Sequence, residues 1–324
     1  MHHWRPSQGI ALVLVLWVIA LLSVMALGLT AAQRTESTLT ANALAEARFR
    51  AAADAGIAYA ALNLLAPQAT DAEAAATDAE GQSTVWLPDG SAHAWTFAEV
   101  PLAISVQNEG SRIDLNEADA DTLRALFTVV GVKDELSATL ADRILDWRDA
   151  DDLKSLNGAE DPDYAAEGLP YGAKDEPFSS VEELRQVLGI TPEIYRRVAP
   201  ELTVDSGKAK VEEQFASAVV LAAIKGVTLE EAQTTVEERT QAAIPGGVAG
   251  RAAAAFGRGG PLYRIRVSRT GSGSTSQGTN GLAMEALVRI DQNIKPPVQV
   301  EWRRYGLGPP PESLVSKETE DRWR

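Results

Sequence analysis

The sequence predicts an α+β chain: a long amino-terminal transmembrane helix packed on a small antiparallel sheet, with a large all-α domain inserted into that sheet. Three observations predict it. An uncharged, mostly apolar run from Ile10 to Gln33 leads into an alanine-rich stretch with no Pro until Pro67. Segments with strand patterning lie on both sides of the chain's middle, at 83–106 and 262–302. Between them the pattern turns helical, and one leucine–glycine spacing recurs three times.

The apolar run is long enough to cross a bilayer, since a helix rises ~1.5 Å per residue and a hydrocarbon core of ~30 Å needs about 20 residues. Ile10, Leu14, Trp17, Leu21, Val24 and Leu27 are its expected membrane residues. Arg5 precedes the run and the bulk of the chain follows it, which places the amino end in the cytoplasm and the rest outside. A cleaved secretory signal and a plain single-span anchor are the alternatives, but a cleaved signal has an apolar stretch of only ~7–15 residues. Gly9-Ile10, at the junction of a short basic leader and the apolar helix, resembles the type IV pilin-like signal. That resemblance implies cleavage between Gly9 and Ile10 by prepilin peptidase, with Ile10 N-methylated. Pilins and most pseudopilins carry Glu at the fifth position after the cut; here that position is Leu14. A carboxylate in lipid needs a charged partner. A subunit without it fits poorly inside a fibre and suits an end.

Residues 33–66 read as helix, with Leu39, Ala43, Ala47, Phe49, Ala53, Ile57, Tyr59, Leu62 and Leu65 on an apolar face. Pro67 ends it. Ser83–Leu87 and Ala92–Phe97 read as a hairpin around Pro88-Asp89-Gly90-Ser91, and Leu102–Val106 as a third strand. Leu126-x-x-Val129-x-Gly131-Val132 then returns as Leu184-x-x-Val187-x-Gly189-Ile190 and as Leu221-x-x-Ile224-x-Gly226-Val227. Helical residues follow each, at 141–147, 192–198 and 229–236, so each unit reads as helix, glycine turn, helix. Thr191 and Thr228 are set to cap the second helices, and Ser179 or Ser180 the helix at Glu182-Glu183-Leu184. The repeat resembles the helix-hairpin-helix motif, but Lys133 and Lys225 stand among many acids and the usual second turn glycine is missing.

Between the first two units, residues 146–164 crowd carboxylates into a loop with few apolar anchors. Oxygen-only donors at this density suit Ca²⁺, which takes six to eight oxygens in loose geometry; a solvated acidic loop is the alternative. The candidate ligands are Asp149, Asp152, Asn157, Glu160, Asp161 and Asp163. Strands return at Leu262–Ser268, Ala283–Asp291 and Val298–Trp302, and Pro309-Pro310-Pro311 opens the tail. The expected segments are a leader (1–9), the transmembrane and amphipathic helix (10–66), the first β half (67–110), the inserted helical domain (111–245), the second β half (246–306) and a flexible tail (307–324).

The net charge of −15 opposes nucleic-acid binding. With no Cys, disulfides and thiol chemistry are excluded. His2 and His3 lie in the leader, His93 reads as a strand residue and no nucleophile motif stands out, so an enzyme is not expected. Ile113-Asp114-Leu115-Asn116, Asp146-Trp147-Arg148-Asp149, Asn157-Gly158-Ala159-Glu160-Asp161, Leu169-Pro170-Tyr171-Gly172, Pro177-Phe178 and Glu182-Glu183-Leu184 follow the anchor in order. Together they resemble the minor pseudopilin K family of type II secretion. The resemblance implies an inner-membrane subunit facing the periplasm, with structural Ca²⁺ in the inserted domain. It implies a place at the pseudopilus tip with minor pseudopilins I and J, the major pseudopilin below, and prepilin peptidase as processing enzyme. A membrane-tethered helix-hairpin-helix module binding DNA is the alternative.

Overall fold

The computed structural model describes residues 8–65, 86–242, 258–270 and 283–307. These fall into two compact units, one holding the chain up to Ala52, the other running from Ala53 on. Helix α1 (Gln8–Leu65) passes through both. Its first part is apolar on every side, and Leu14, Trp17, Leu21, Val24 and Leu27 are all exposed. Among the described residues, no helix is long and apolar enough to cross a membrane; within the uncharged run, side chains are described without a break only from Leu12 to Leu27. Gly9 and Ile10 are helical, and the side chain of Ile10 lies outside the described residues.

In the second unit, α1 buries Ala53, Ile57, Ala60, Ala61 and Leu64, a three- and four-residue spacing that keeps one face inward. This corrects the expected face. Leu39, Tyr59 and Leu62 are exposed, because each two-residue step, such as Ile57 to Tyr59, turns a side chain about 200° around the helix. Gly56 sets the depth of contact: a Cβ there would sit 3.3 Å from Ile104 Cδ1 and from both Val267 methyls.

Ile104 and Val267 belong to a five-stranded antiparallel sheet, ordered β1-β2-β5-β6-β7. Its strands are β1 (Asp89–Phe97), β2 (Val100–Asn108), β5 (Leu262–Arg269), β6 (Ala283–Ile290) and β7 (Val298–Leu307). Alternation on β2 buries Leu102, Ile104 and Val106. They share a face with Ile265 and Val267, and the register sets Ile104 opposite Val267. The first hairpin differs from expectation. It joins β1 to β2 through Ala98-Glu99, both at positive φ (47° and 64°), while Trp86 and Leu87 lie outside any strand. Ser83–Val85 are outside the described residues. A two-residue hairpin turn with both residues left-handed usually advertises itself as Asn-Gly; Ala-Glu carries no such mark. Asp89-Gly90 instead lies at a register shift within β1.

β2 and β5 are neighbours, yet the chain between them holds every described helix except α1. A two-stranded parallel ladder opens and closes this helical block, β3 (Ile113–Asp114) with β4 (Leu202–Thr203). The helices are α2 (Ala120–Val129), α3 (Asp134–Arg148), α4 (Asp161–Ala166), α5 (Pro192–Val198), α6 (Ala218–Lys225) and α7 (Leu229–Ala242). Their shared core includes Leu123, Phe127, Leu140, Ile144, Tyr164 and Leu184. The three predicted turns carry Gly131, Gly189 and Gly226 at φ 89°, 93° and 64°, values L-residues avoid. Thr191 caps α5 by accepting from Ile194 N, and Thr228 forms a reciprocal cap with Glu231. Two details differ. The segment 181–186 is a 3₁₀ helix, and Ser180 makes no side-chain cap; Glu183 reaches back to Ser179 N instead. Helix α3 begins at Asp134, one turn after Gly131 rather than at Ala141.

A buried charge cluster joins block to sheet. Glu109, just past β2, is fully buried and takes a two-pronged bond from Arg264 of β5, with Thr203 Oγ1 donating to the same carboxylate. Burial raises the Glu109 carboxyl, but Arg264 outweighs it and holds the group below the usual carboxylate range. The Arg264 guanidinium also lies 5.2 Å from the Trp302 ring, and Trp302 Nε1 donates to Asp205 at 3.3 Å.

Candidate metal centre

The acidic loop hangs from the end of α3. Arg148 donates to Leu115 O and Ala118 O, which ties the loop to the start of the block. Asn116 pins Phe178 through both backbone groups, at 3.0 and 2.8 Å. Asp146, fully buried, accepts from Ser155 N and sits against the Gly158 backbone. A Cβ on Gly158 would lie 1.7 Å from Asp146 Oδ2, so only glycine permits this approach. Gly172 plays the same part for Asp161, where a Cβ would come within 1.6 Å of Oδ1.

Three buried carboxylate oxygens here have no hydrogen-bond partner: Asp149 Oδ1, Glu160 Oε1 and Asp175 Oδ1. Each such atom costs about 1–3 kcal/mol, more when charged, so an orphaned trio calls for an explanation. Asp175 comes to this place because its N–H donates to Trp147 O at 3.1 Å. The three carboxyls share one field. Glu160 is pushed up to about 7, first by burial and then by Asp146, Asp149, Asp175 and Asp152. Asp149 is raised by burial and by Asp151 and Asp146, and Asp175 by burial and by Asp161 and Asp152. Among the described residues, no three such side chains already converge as a finished cage. Oxygen-only donors of this kind fit a hard cation such as Ca²⁺.

The expected ligands divide. Asp149 and Glu160 carry orphaned oxygens; Asp152 and Asp161 are exposed but lie within the same field. Asn157 turns away and donates to Asp142 at 3.0 Å. Asp163 is occupied: Lys154 donates to it at 2.6 Å, and it caps α4 by accepting from Glu160 N. Asp146 and Asp175 were missed. Asp146 was legible, being three residues before Asp149 on the same helical turn. Asp175 offers no sequence signal, since it stands eleven positions beyond the loop, in a backbone at φ 55°.

A family model of type II secretion system protein K matches residues 103–206, which contain this whole site. The chain is 28% identical over 255 residues to protein K of the type II secretion system of Pseudomonas aeruginosa, covering 72% of this chain and 73% of that one. It is 32% identical over 126 residues to protein K of Pectobacterium carotovorum subsp. carotovorum, covering 37% and 38%. The chain is similar to the type II secretion system protein K family. Its fold is also similar to a chain in the crystal structure of the GspK-GspI-GspJ complex from enterotoxigenic Escherichia coli. The TM-score there is 0.53 at 16% identity, over 84% of this chain and 99% of the other. These likenesses support a minor pseudopilin of the type II secretion system.

Proposed function

We propose that this chain acts as a protein K and caps the tip of the type II secretion pseudopilus, together with minor pseudopilins I and J and above the major pseudopilin. The insertion between paired strands β2 and β5 carries this reading. It places a helical block where a small hairpin sheet needs only a turn, and such bulk obstructs a further subunit above. Leu14, in place of the usual carboxylate, points to the same end position. The solved relative is itself a complex of proteins K, I and J.

The anchor is residues 10–33, in the inner membrane, with the bulk in the periplasm. Its supports are the uncharged sequence and the exposed apolar side chains all round α1 from Leu12 to Leu29. Prepilin peptidase cuts between Gly9 and Ile10, and Ile10 is then methylated. A Ca²⁺ ion, held by Asp149, Glu160 and Asp175 with Asp152 and Asp161 nearby, keeps the acidic loop compact. The DNA-binding alternative gains nothing: at the third hairpin, Lys225 is paired with Glu213 at 2.9 Å.

The test is co-purification with I and J from membranes. Val24→Asp sets a carboxylate on the exposed apolar face, at about 2.5–3.5 kcal/mol by insertion scales. The variant should lose I and J and fail to support export, while its loop still responds to Ca²⁺. Normal export by this variant would count against the reading.

A further inference from the structure

A cavity of about 330 Å³ opens beside the acidic loop, lined by Trp147, Tyr171, Lys174, Glu183 and Gln186. Two of its walls are aromatic: the Trp147 and Tyr171 rings meet edge to face, 6.4 Å apart at 85°. Trp147 is 3% exposed, and its indole Nε1–H has no acceptor. A buried indole donor ordinarily finds one. Lys174 and Glu183 neutralise each other at 2.8 Å, and Lys174 also donates to Pro177 O and Ser179 Oγ. The cavity therefore combines an apolar slot, an indole donor and no net charge. Aromatic grooves of this kind take polyproline, whose rings stack on the walls while its extended backbone leaves every carbonyl open to a donor.

The chain carries such a segment close by. Strand β7 ends at Leu307, and Pro309-Pro310-Pro311 begins two residues later. Arg304 of β7 donates to Glu182 at 2.7 Å, and Glu182 adjoins Glu183 of the cavity wall. The five steps from Arg304 to Pro309 span up to about 17 Å. The Arg304–Glu182 contact brings this end of β7 to the segment that supplies Glu183 and Gln186 to the cavity wall.

We infer that Pro309-Pro310-Pro311 of this same chain docks in the Trp147–Tyr171 cavity, with a proline-segment carbonyl accepting from Trp147 Nε1–H. The docked segment ties the last strand of the sheet to the helical block, alongside the Arg304–Glu182 pair. A polyproline segment is already extended, so little conformational freedom is lost on docking.

The absence of native Cys makes the test direct. The detergent-extracted full chain carries Gln186→Cys and Ser313→Cys, and the rate of intramolecular disulfide formation is followed under mild oxidant. Replacing Pro309, Pro310 and Pro311 by Ser keeps the tether length and removes the docking residues. The rate should fall roughly tenfold, the effect of losing about 1.4 kcal/mol. An unchanged rate would mean that tethering alone brings the thiols together, and overturns the inference. Disulfides formed mainly between two chains at low concentration overturn it too, by making a second copy the occupant. Trp147→Phe, which keeps the ring, identifies the indole N–H resonance in a nitrogen-15 spectrum. That resonance should shift between the parent and the serine variant; no shift would also sink the idea.

Discussion

Removing divalent cations should loosen the helical block, and the pH dependence of the effect should change sign with the ion. The perturbation is chelation, read by thermal unfolding of the full chain in detergent between pH 5 and pH 7.5. Without an ion, Glu160 titrates at about 7 in the folded chain against an ordinary 4.5. Between those values the fold holds the proton more tightly than the unfolded chain does. Ion-free stability therefore falls as pH rises through that window. With Ca²⁺ the trend reverses, because the ligand oxygens must be deprotonated to bind. At a Ca²⁺ concentration 100 times Kd, mass action stabilises the folded chain by about 2.7 kcal/mol. For a domain of 150–250 residues each 1 kcal/mol moves Tm by about 2–4 °C, so the shift should be about 5–11 °C. Asp175→Asn, which removes one like charge, should stabilise the ion-free chain at pH 7.5 and abolish most of the Ca²⁺ response. Asp163→Ala removes the Lys154 pair and the Asp163 half of the α4 capping box, so it should lower Tm equally with and without Ca²⁺. Equal Ca²⁺ responses in the two variants, or identical pH slopes with and without Ca²⁺, would refute the reasoning.

Glu109→Ala leaves Arg264 buried without its carboxylate and should cost about 3–5 kcal/mol in urea unfolding. The double change Glu109→Leu with Arg264→Met should cost much less; a larger loss in the double variant would show that the pair is not the joint described. Gly56→Leu should cost about 1–3 kcal/mol, because α1 lies too close to the sheet for a longer side chain. Gly56→Ala should be near neutral, since the helix gains about 1 kcal/mol of propensity against a tight 3.3 Å contact. Equal Tm values for the two variants would show that Gly56 does not set the spacing.

The helical repeat was legible because turn chemistry and capping are local. Gly131, Gly189 and Gly226 need a left-handed backbone, and Thr191 and Thr228 face their own amides. Strand β5 was legible from its alternation of apolar and charged residues, and β6 as its hairpin partner. The first hairpin was not, since Ala98-Glu99 turns without a turn residue while Asp89-Gly90 marks a bulge. The ladder of Ile113 with Leu202 was invisible too: two paired residues on each side make no period. At the acidic loop, charge density and the Asp146–Asp149 turn could be read directly. Which carboxylates stay unpaired depended on tertiary contacts: Lys154 occupies Asp163, Asp142 turns Asn157 aside, and Trp147 O brings in Asp175. Glu109 and Arg264, 155 residues apart in sequence, meet because β2 pairs with β5.

The most direct test of the pseudopilin account is the amino-terminal residue and mass of the membrane-extracted chain, made with and without prepilin peptidase. The account predicts a chain that begins at Ile10 and carries one added methyl group when the peptidase is present, and an uncut chain when it is not. A chain beginning near residue 33, or one that begins at Met1 whether or not the peptidase is present, would contradict it.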